Sequence, residues 1–193
     1  LFFKTSMKLV YNFKDKLYWI QNFLPYDHYK KIHDEVFKER KTLKYRSVKG
    51  EWDKNLTKFI GYPEKIDIDR KYFQFSETLI KHLPYVNIKG EFSYIVHKMT
   101  KGTGIEWHGD YGHKFGITYY INRRWNKDWG GELMFQDEND FGYIPVVGNS
   151  LLIVKTPVGH KVNPVLSPIT PRYTIQAFVK HDEITDQETT TKK

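Results

Sequence analysis

The sequence contains no cysteine. That absence excludes disulfides, thiolate metal sites and cysteine nucleophiles together, so any metal must be held by histidine and carboxylate. It also contains no apolar run near the ~18 residues a membrane-spanning helix needs, so no membrane partner is expected. The opening stretch LFFKTSMKLVYNFKDK is interrupted too often by lysine to serve as a secretion signal. Met7 is read as the natural start, with residues 1–6 a translated leader, and the expected location is cytoplasmic. A dense basic tract is missing as well. The net charge is +8 over 193 residues, but the lysines are scattered along the chain. Such a pattern reads as a solvated exterior rather than a nucleic-acid footprint.

Aromatic residues, by contrast, are plentiful. The apolar fraction is only 39%, yet fourteen Tyr, thirteen Phe and five Trp make up 17% of the chain, enough for an aromatic-rich core in one domain of this length. Residues 24–41 have helical spacing: Tyr29, Ile32, Val36 and Phe37 share a face, and Asp27 is a candidate N-cap. A second helix is expected over about 69–82, ended by Pro84. The pattern then changes to short alternating or apolar runs: EFSYIVHKM, FGITYYIN, GGELMFQD, SLLIVK, HKVNPVL and RYTIQAFV. Six strands in about 90 residues leave no room for helices between them and imply an antiparallel sandwich or barrel. The expected class is therefore mainly β with N-terminal helices. The helical part spans about 24–84, a jelly-roll (double-stranded β-helix, cupin-like) core spans about 90–180, and residues 181–193 form a polar, disordered tail.

The chemistry-bearing residues lie in that second half. In EWHGDYGH, residues two apart on an extended segment point to the same side, so His108 and Asp110 project together. Such a pair is common by chance and commonly structural. About fifty residues later, SLLIVKTPVGHKV reads as a buried strand and a turn, with His160 opening the next strand. Two histidines and one aspartate from neighbouring strands can form the facial triad of a non-haem iron centre, or a three-ligand zinc site. Arg172 bears on the choice. Alternation places Arg172, Thr174, Gln176 and Phe178 on one face of a strand beside His160, where a buried guanidinium needs an anionic partner. A dicarboxylate offers a two-point pair; an ordinary strand-end arginine in water is the plain alternative.

Taken together, GTGIEWHGD, ITYYINRRWNKDWGGELMF, PVVGNSLLIV, GHKVNPV and PRYTIQAFV resemble, in that order, the prolyl-4-hydroxylase-like branch of the Fe(II)- and 2-oxoglutarate-dependent oxygenases. The resemblance covers roughly residues 90–180. It implies that His108, Asp110 and His160 are the iron ligands and that Arg172 pairs with the distal carboxylate of 2-oxoglutarate. Tyr120 touches the same carboxylate, and Leu133 and Phe178 are pocket walls. The branch often has an aromatic near position 98 facing the co-substrate; with HKM there, Tyr94 is the expected substitute, or Lys98 makes a polar contact. His113 falls where relatives carry a substrate-side basic residue. The resemblance further implies Fe(II), 2-oxoglutarate and O2 as reactants, with ascorbate as an accessory.

The activity so implied is hydroxylation of a C–H bond, with succinate and CO2 as co-products. The expected substrate is a prolyl residue in a peptide or protein, gripped by the segments 43–62 and 122–130 with Arg123, Arg124, Trp125 and Trp129. A free amino acid or small metabolite is the second reading. A nucleic-acid substrate is disfavoured, because oxygenases of that kind carry a second arginine six residues beyond the anchor, where this chain has Phe178. A non-catalytic jelly-roll binding module, or a zinc hydrolase on the same donors, completes the set. The sequence does not specify an oligomeric state.

Overall fold

Side-chain alternation along the central strands decides how the layers stack. The computed structural model describes residues 7–39, 44–59, 61–67 and 73–180; the expected tail at 181–193 and the start of the expected second helix lie outside them. Twelve strands are found among these residues. They run β1 (Lys8–Phe13), β2 (Leu17–Gln21), β3 (Arg46–Ser47), β4 (Glu64–Asp67), β5 (Phe92–Met99) and β6 (Ile105–His108), then β7 (His113–Tyr120), β8 (Leu133–Asp137), β9 (Asp140–Ile144), β10 (Ser150–Lys155), β11 (Gly159–Val162) and β12 (Arg172–Lys180). Helix α1 spans Tyr26–Glu39 and α2 spans Gln74–Lys81.

Eight strands form one sheet in the order β1-β2-β10-β7-β12-β5-β4-β3, and four form a second in the order β6-β11-β8-β9. All strand pairs named here are antiparallel. Two facing antiparallel sheets are the jelly-roll arrangement that the sequence pattern implied. The central strands β10, β7 and β12 of the large sheet are buried on both faces. On β12, Tyr173, Ile175, Ala177 and Val179 join the helix-side core with Phe23, Tyr29 and Phe73. The alternate residues Gln176 and Phe178 line the space between the sheets. On β10, Leu151 and Ile153 face the helices while Leu152 and Val154 face the second sheet.

All six expected strand segments are present. The other six strands were not read as such from the sequence, except that β6 lies in the segment already taken as extended. The opening hairpin β1–β2 is the clearest omission. Its turn places Lys14 and Asp15 both at positive φ (50° and 53°), a geometry usually signalled by Asn-Gly or Asp-Gly; Lys-Asp gives no such signal. Asn12 supports it by accepting from the Asp15 amide and donating to the Asp15 carboxylate. Helix α1 begins at Tyr26, so Asp27 sits in its first turn rather than at the cap.

One polar side chain ties the helical layer to the sheet. Asn149, buried just before β10, accepts from the Leu24 amide at 3.0 Å, donates to the Leu24 carbonyl at 2.9 Å, and accepts from the Tyr119 hydroxyl at 3.0 Å. Its φ of 58° suits asparagine better than most residues. Asn149→Ala is expected to cost about 2–4 kcal/mol by stranding those three groups. Urea unfolding measures it, and a loss below about 1 kcal/mol contradicts the account.

Candidate active site

The two sheets diverge around a cavity of about 480 Å³. His108 arrives at the end of β6 and His160 at the start of β11, and these strands pair with the two histidines directly opposite one another. Asp110 follows β6 by two residues. Ligating atoms of all three lie within 4.8 Å of one another. His108 Nε2 is 3.8 Å from Asp110 Oδ1, and His160 Nε2 is 3.6 Å from Asp110 Oδ2.

The other ring nitrogens are already engaged. His108 Nδ1 contacts the Glu106 carbonyl at 2.7 Å, and His160 Nδ1 contacts the Val158 carbonyl at 3.1 Å. A carbonyl can only accept, so each Nδ1 donates and each Nε2 is left with its lone pair facing the shared space. This is the outer support a metal-binding imidazole requires. Burial, reinforced by His108, pushes the His160 imidazole down while Asp110 opposes, which favours the neutral, ligating form. The donor set fits a divalent ion with open positions.

Sequence reading missed the residue that makes room for Asp110. Gly116 lies on β7 directly beneath it, and a Cβ there would fall 2.2 Å from Asp110 Oδ2. A glycine within a strand often marks such close approach, but nothing in FGITYY indicates what approaches.

A second group of buried polar side chains gathers on β12, β5 and β7. Arg172 is fully buried, and its Nε and Nη2 have no partner; Nη1 reaches only the Met99 sulfur at 3.5 Å. The Tyr120 hydroxyl, the Thr174 hydroxyl and both ring nitrogens of His97 are likewise buried and unpartnered. Strand register explains the grouping: Thr174 on β12 pairs with His97 on β5 and with Tyr120 on β7. The guanidinium carbon sits 5.1 Å from the centre of the Tyr120 ring. Burial pushes the Tyr120 phenol up, with Arg172 pulling the other way. Buried donors are costly to leave unmet, and this set fits a carboxylate. Arg172, Tyr120 and Thr174 lie just behind the cavity lining, of which His97 and Thr118 form the inner part.

The chain around Arg172 is held in place. Asn122 donates to the Pro171 carbonyl at 2.9 Å and accepts from the Tyr173 amide at 2.7 Å, gripping the backbone on both sides of Arg172. The preceding SPITP turn closes with the Thr170 amide on Ser167 Oγ. Gly131, at φ +75°, lies so close that a Cβ would meet Arg172 Cδ at 2.9 Å, which accounts for one glycine of the Gly130–Gly131 pair.

Leu133 and Phe178 line the cavity as expected, and His113 lies there with its ring 4.7 Å from that of Phe178. Tyr94 and Lys98 do not reach it. Tyr94 points to the helix side and donates to Glu77 at 2.5 Å, and Lys98 pairs with Glu64 at 2.6 Å. With a period of two, a one-residue offset selects the other face, and the cavity-facing residue at this place is His97. Side chains of the segment 122–130 have partners within the fold. Arg123 binds Asp34, Trp125 donates to the Gly130 carbonyl, and Trp125 stacks edge-on with Trp129. These residues cover the barrel edge. The 44–59 segment does reach the cavity, through Trp52, Asp53 and Leu56.

His97 leads to a stability prediction. Burial, then the nearby Arg172 and Lys65 charges, pushes its imidazole down to about 3. In the unfolded chain it protonates near 6.5, so burying it in the neutral form carries no proton-linked cost above pH 6.5, and stability drains as pH falls from there toward 3. Between pH 6.5 and pH 5 this one group is expected to remove about 2 kcal/mol. Urea titrations of wild type and His97→Phe at both pH values test this; the same acid loss in both proteins contradicts it.

Among the described residues, no helix is long and apolar enough to cross a membrane. No curated protein sequence gives a significant match to the chain. Solved structures with the same fold include a Pseudomonas putida prolyl-4-hydroxylase, with TM-score 0.70 and 15% identity over 86% of this chain and 93% of that one. A Trichoplax adhaerens prolyl hydroxylase in complex with a hypoxia inducible factor oxygen degradation domain peptide fragment gives TM-score 0.70 and 21% identity over 86% and 84%. The non-heme alpha ketoglutarate dependent epimerase SnoN from nogalamycin biosynthesis gives 0.64 and 10% over 86% and 77%. Residues 94–180 match the family model of the 2OG-Fe(II) oxygenase superfamily. Those residues contain both histidines, Asp110, Arg172 and the strands that position them.

Proposed function

We propose that this chain is an Fe(II)- and 2-oxoglutarate-dependent dioxygenase that hydroxylates a prolyl residue in a peptide or protein. The observation that carries the oxygenase reading is the presence of two half-sites in one jelly roll. Two imidazoles and a carboxylate converge in the cavity, and a buried guanidinium with no ion-pair partner among the described residues sits on the same face of β12 as the cavity-lining Gln176 and Phe178. A zinc hydrolase has no use for the second half.

In this reading His108, Asp110 and His160 hold iron through two Nε2 atoms and a carboxylate oxygen, and Arg172 and Tyr120 take the distal carboxylate of 2-oxoglutarate. With O2, the bound metal and co-substrate supply the oxidising power that converts a substrate C–H to C–OH, releasing succinate and CO2. Leu133, Val154 and Ile95 keep the walls apolar and limit water. Ascorbate belongs to the same proposal as a sustaining reductant.

The prolyl assignment draws support from the fold shared with two prolyl hydroxylases, one of them holding a peptide. Exposed Trp107 and Tyr111 flank His108 and Asp110 in sequence, aromatic surface near the site that an extended chain could use. Phe178, rather than a second arginine, lies on the cavity wall, which disfavours nucleic acid. The experiment is 2-oxoglutarate turnover with proline-containing peptides, free proline and single-stranded nucleic acid in parallel, with the +16 Da product located by mass spectrometry. Stimulation and hydroxylation confined to peptides supports the assignment. Stimulation by free proline alone moves the reading to a small-metabolite hydroxylase.

A further inference from the structure

His97 is the polar residue that the mechanism above does not use. It lies mid-strand on β5, 3% exposed, in the inner lining of the cavity, and neither ring nitrogen has a partner. An imidazole in an apolar core normally satisfies at least one nitrogen, since a buried N–H left unpaired is costly. Its surroundings explain why nothing intramolecular does so. The cross-strand neighbour is Thr174, whose hydroxyl is also unpartnered, and the adjacent row holds Arg172. Trp52 packs edge-on against the ring, with centroids 5.5 Å apart and planes at 65°. Trp52 belongs to the segment that caps the cavity with Asp53 and Leu56.

We propose that His97 is a co-substrate-binding residue, donating an N–H from its neutral imidazole to the distal carboxylate of 2-oxoglutarate beside Arg172, with Trp52 fixing the ring plane. The inference rests on the co-substrate reading above. Three features make an oxygen acceptor the fitting partner. The site already gathers unmet donors from Arg172, Tyr120 and Thr174; the imidazole is held neutral by burial and by the nearby guanidinium; and a second cation beside Arg172 would repel it, whereas a neutral donor does not.

The test is calorimetric binding of 2-oxoglutarate to Mn(II)-loaded protein, without turnover, with oxalate as a second probe that chelates the metal but has no distal carboxylate. His97→Phe is expected to weaken 2-oxoglutarate about tenfold or more while leaving oxalate and Mn(II) within twofold. His97→Gln, which restores an N–H, recovers part of the loss, and Trp52→Ala weakens 2-oxoglutarate about threefold. Equal loss of both probes, or no loss of either, overturns the proposal. Should His97→Phe fail to fold, His97→Gln against His97→Leu gives the same comparison. Wild-type protein that binds Mn(II) and oxalate but not 2-oxoglutarate refutes the underlying co-substrate reading instead, a result distinct from any His97 outcome.

Discussion

Replacing Arg172 with methionine is expected to stabilise the protein and disable it at once. Arg172 is fully buried and, among the described residues, forms no ion pair; its Nε and Nη2 make no hydrogen bond, and only Tyr120 and the more distant Glu132 charge offset its burial. Burial pushes its guanidinium down from the ordinary value, the signature of a charge carried at a cost in the free protein. Methionine fills a similar volume next to Met99 without that cost. Replacing buried charges by apolar side chains of matching size commonly gains about 1–4 kcal/mol, and a gain in that range is expected in buffers free of small carboxylates. Removing the two-point charged contact is expected to cost 2-oxoglutarate binding about 3–5 kcal/mol, more than a hundredfold in affinity. Thermal unfolding and calorimetry measure the two effects. A variant that is less stable than wild type, or that keeps its 2-oxoglutarate affinity, shows that Arg172 is a structural residue. Opposite signs are what separate a binding site from a core contact.

Adding one methyl group at Gly116 is expected to remove the metal. The Cβ would stand 2.2 Å from Asp110 Oδ2, closer than any real contact, and something must move. The backbone cannot readily do so, because β7 is hydrogen-bonded on both sides, Gly116 facing Val154 of β10 and Phe178 of β12. The Asp110 carboxylate therefore swings out of the triad. Metal affinity of Gly116→Ala is expected to fall about a hundredfold or more, comparable to serious disruption of a ligand's support, with only modest loss of fold stability. Gly112→Ala is the matched control: a Cβ there meets nothing within 4 Å, and its metal affinity stays near wild type. Metal titration followed by calorimetry distinguishes them, and equal affinities for the two variants would falsify the steric account.

These two residues show what a single sequence makes legible. Arg172 could be placed because strand alternation fixes faces: once RYTIQAFV is a strand beside His160, its odd and even residues sort themselves. Tyr94, expected from the resemblance and not from alternation, lies on the other parity, and His97 holds the cavity side. Gly116 was invisible because its role is to be absent; only the Asp110 carboxylate above it gives the glycine meaning. The β1–β2 hairpin was missed for a local reason, a Lys-Asp turn at positive φ without glycine. In the arginine and tryptophan cluster at 123–129, Arg123 pairs with Asp34 and Trp125 with the Gly130 carbonyl, partners that the local sequence does not indicate. Periodicity thus reports which face a residue takes, whereas voids, close approaches and tertiary partners need coordinates.

The central claim is that the His108–Asp110–His160 group and the Arg172 pocket make a working 2-oxoglutarate-dependent oxygenase. The most direct measurement is succinate formation from 2-oxoglutarate by purified protein with Fe(II) and O2, wild type beside His160→Ala. The account predicts O2-dependent succinate from wild type, even uncoupled from substrate, and none above background from His160→Ala although that variant remains folded. Wild type that forms no succinate with Fe(II) bound, or His160→Ala that forms as much as wild type, contradicts it.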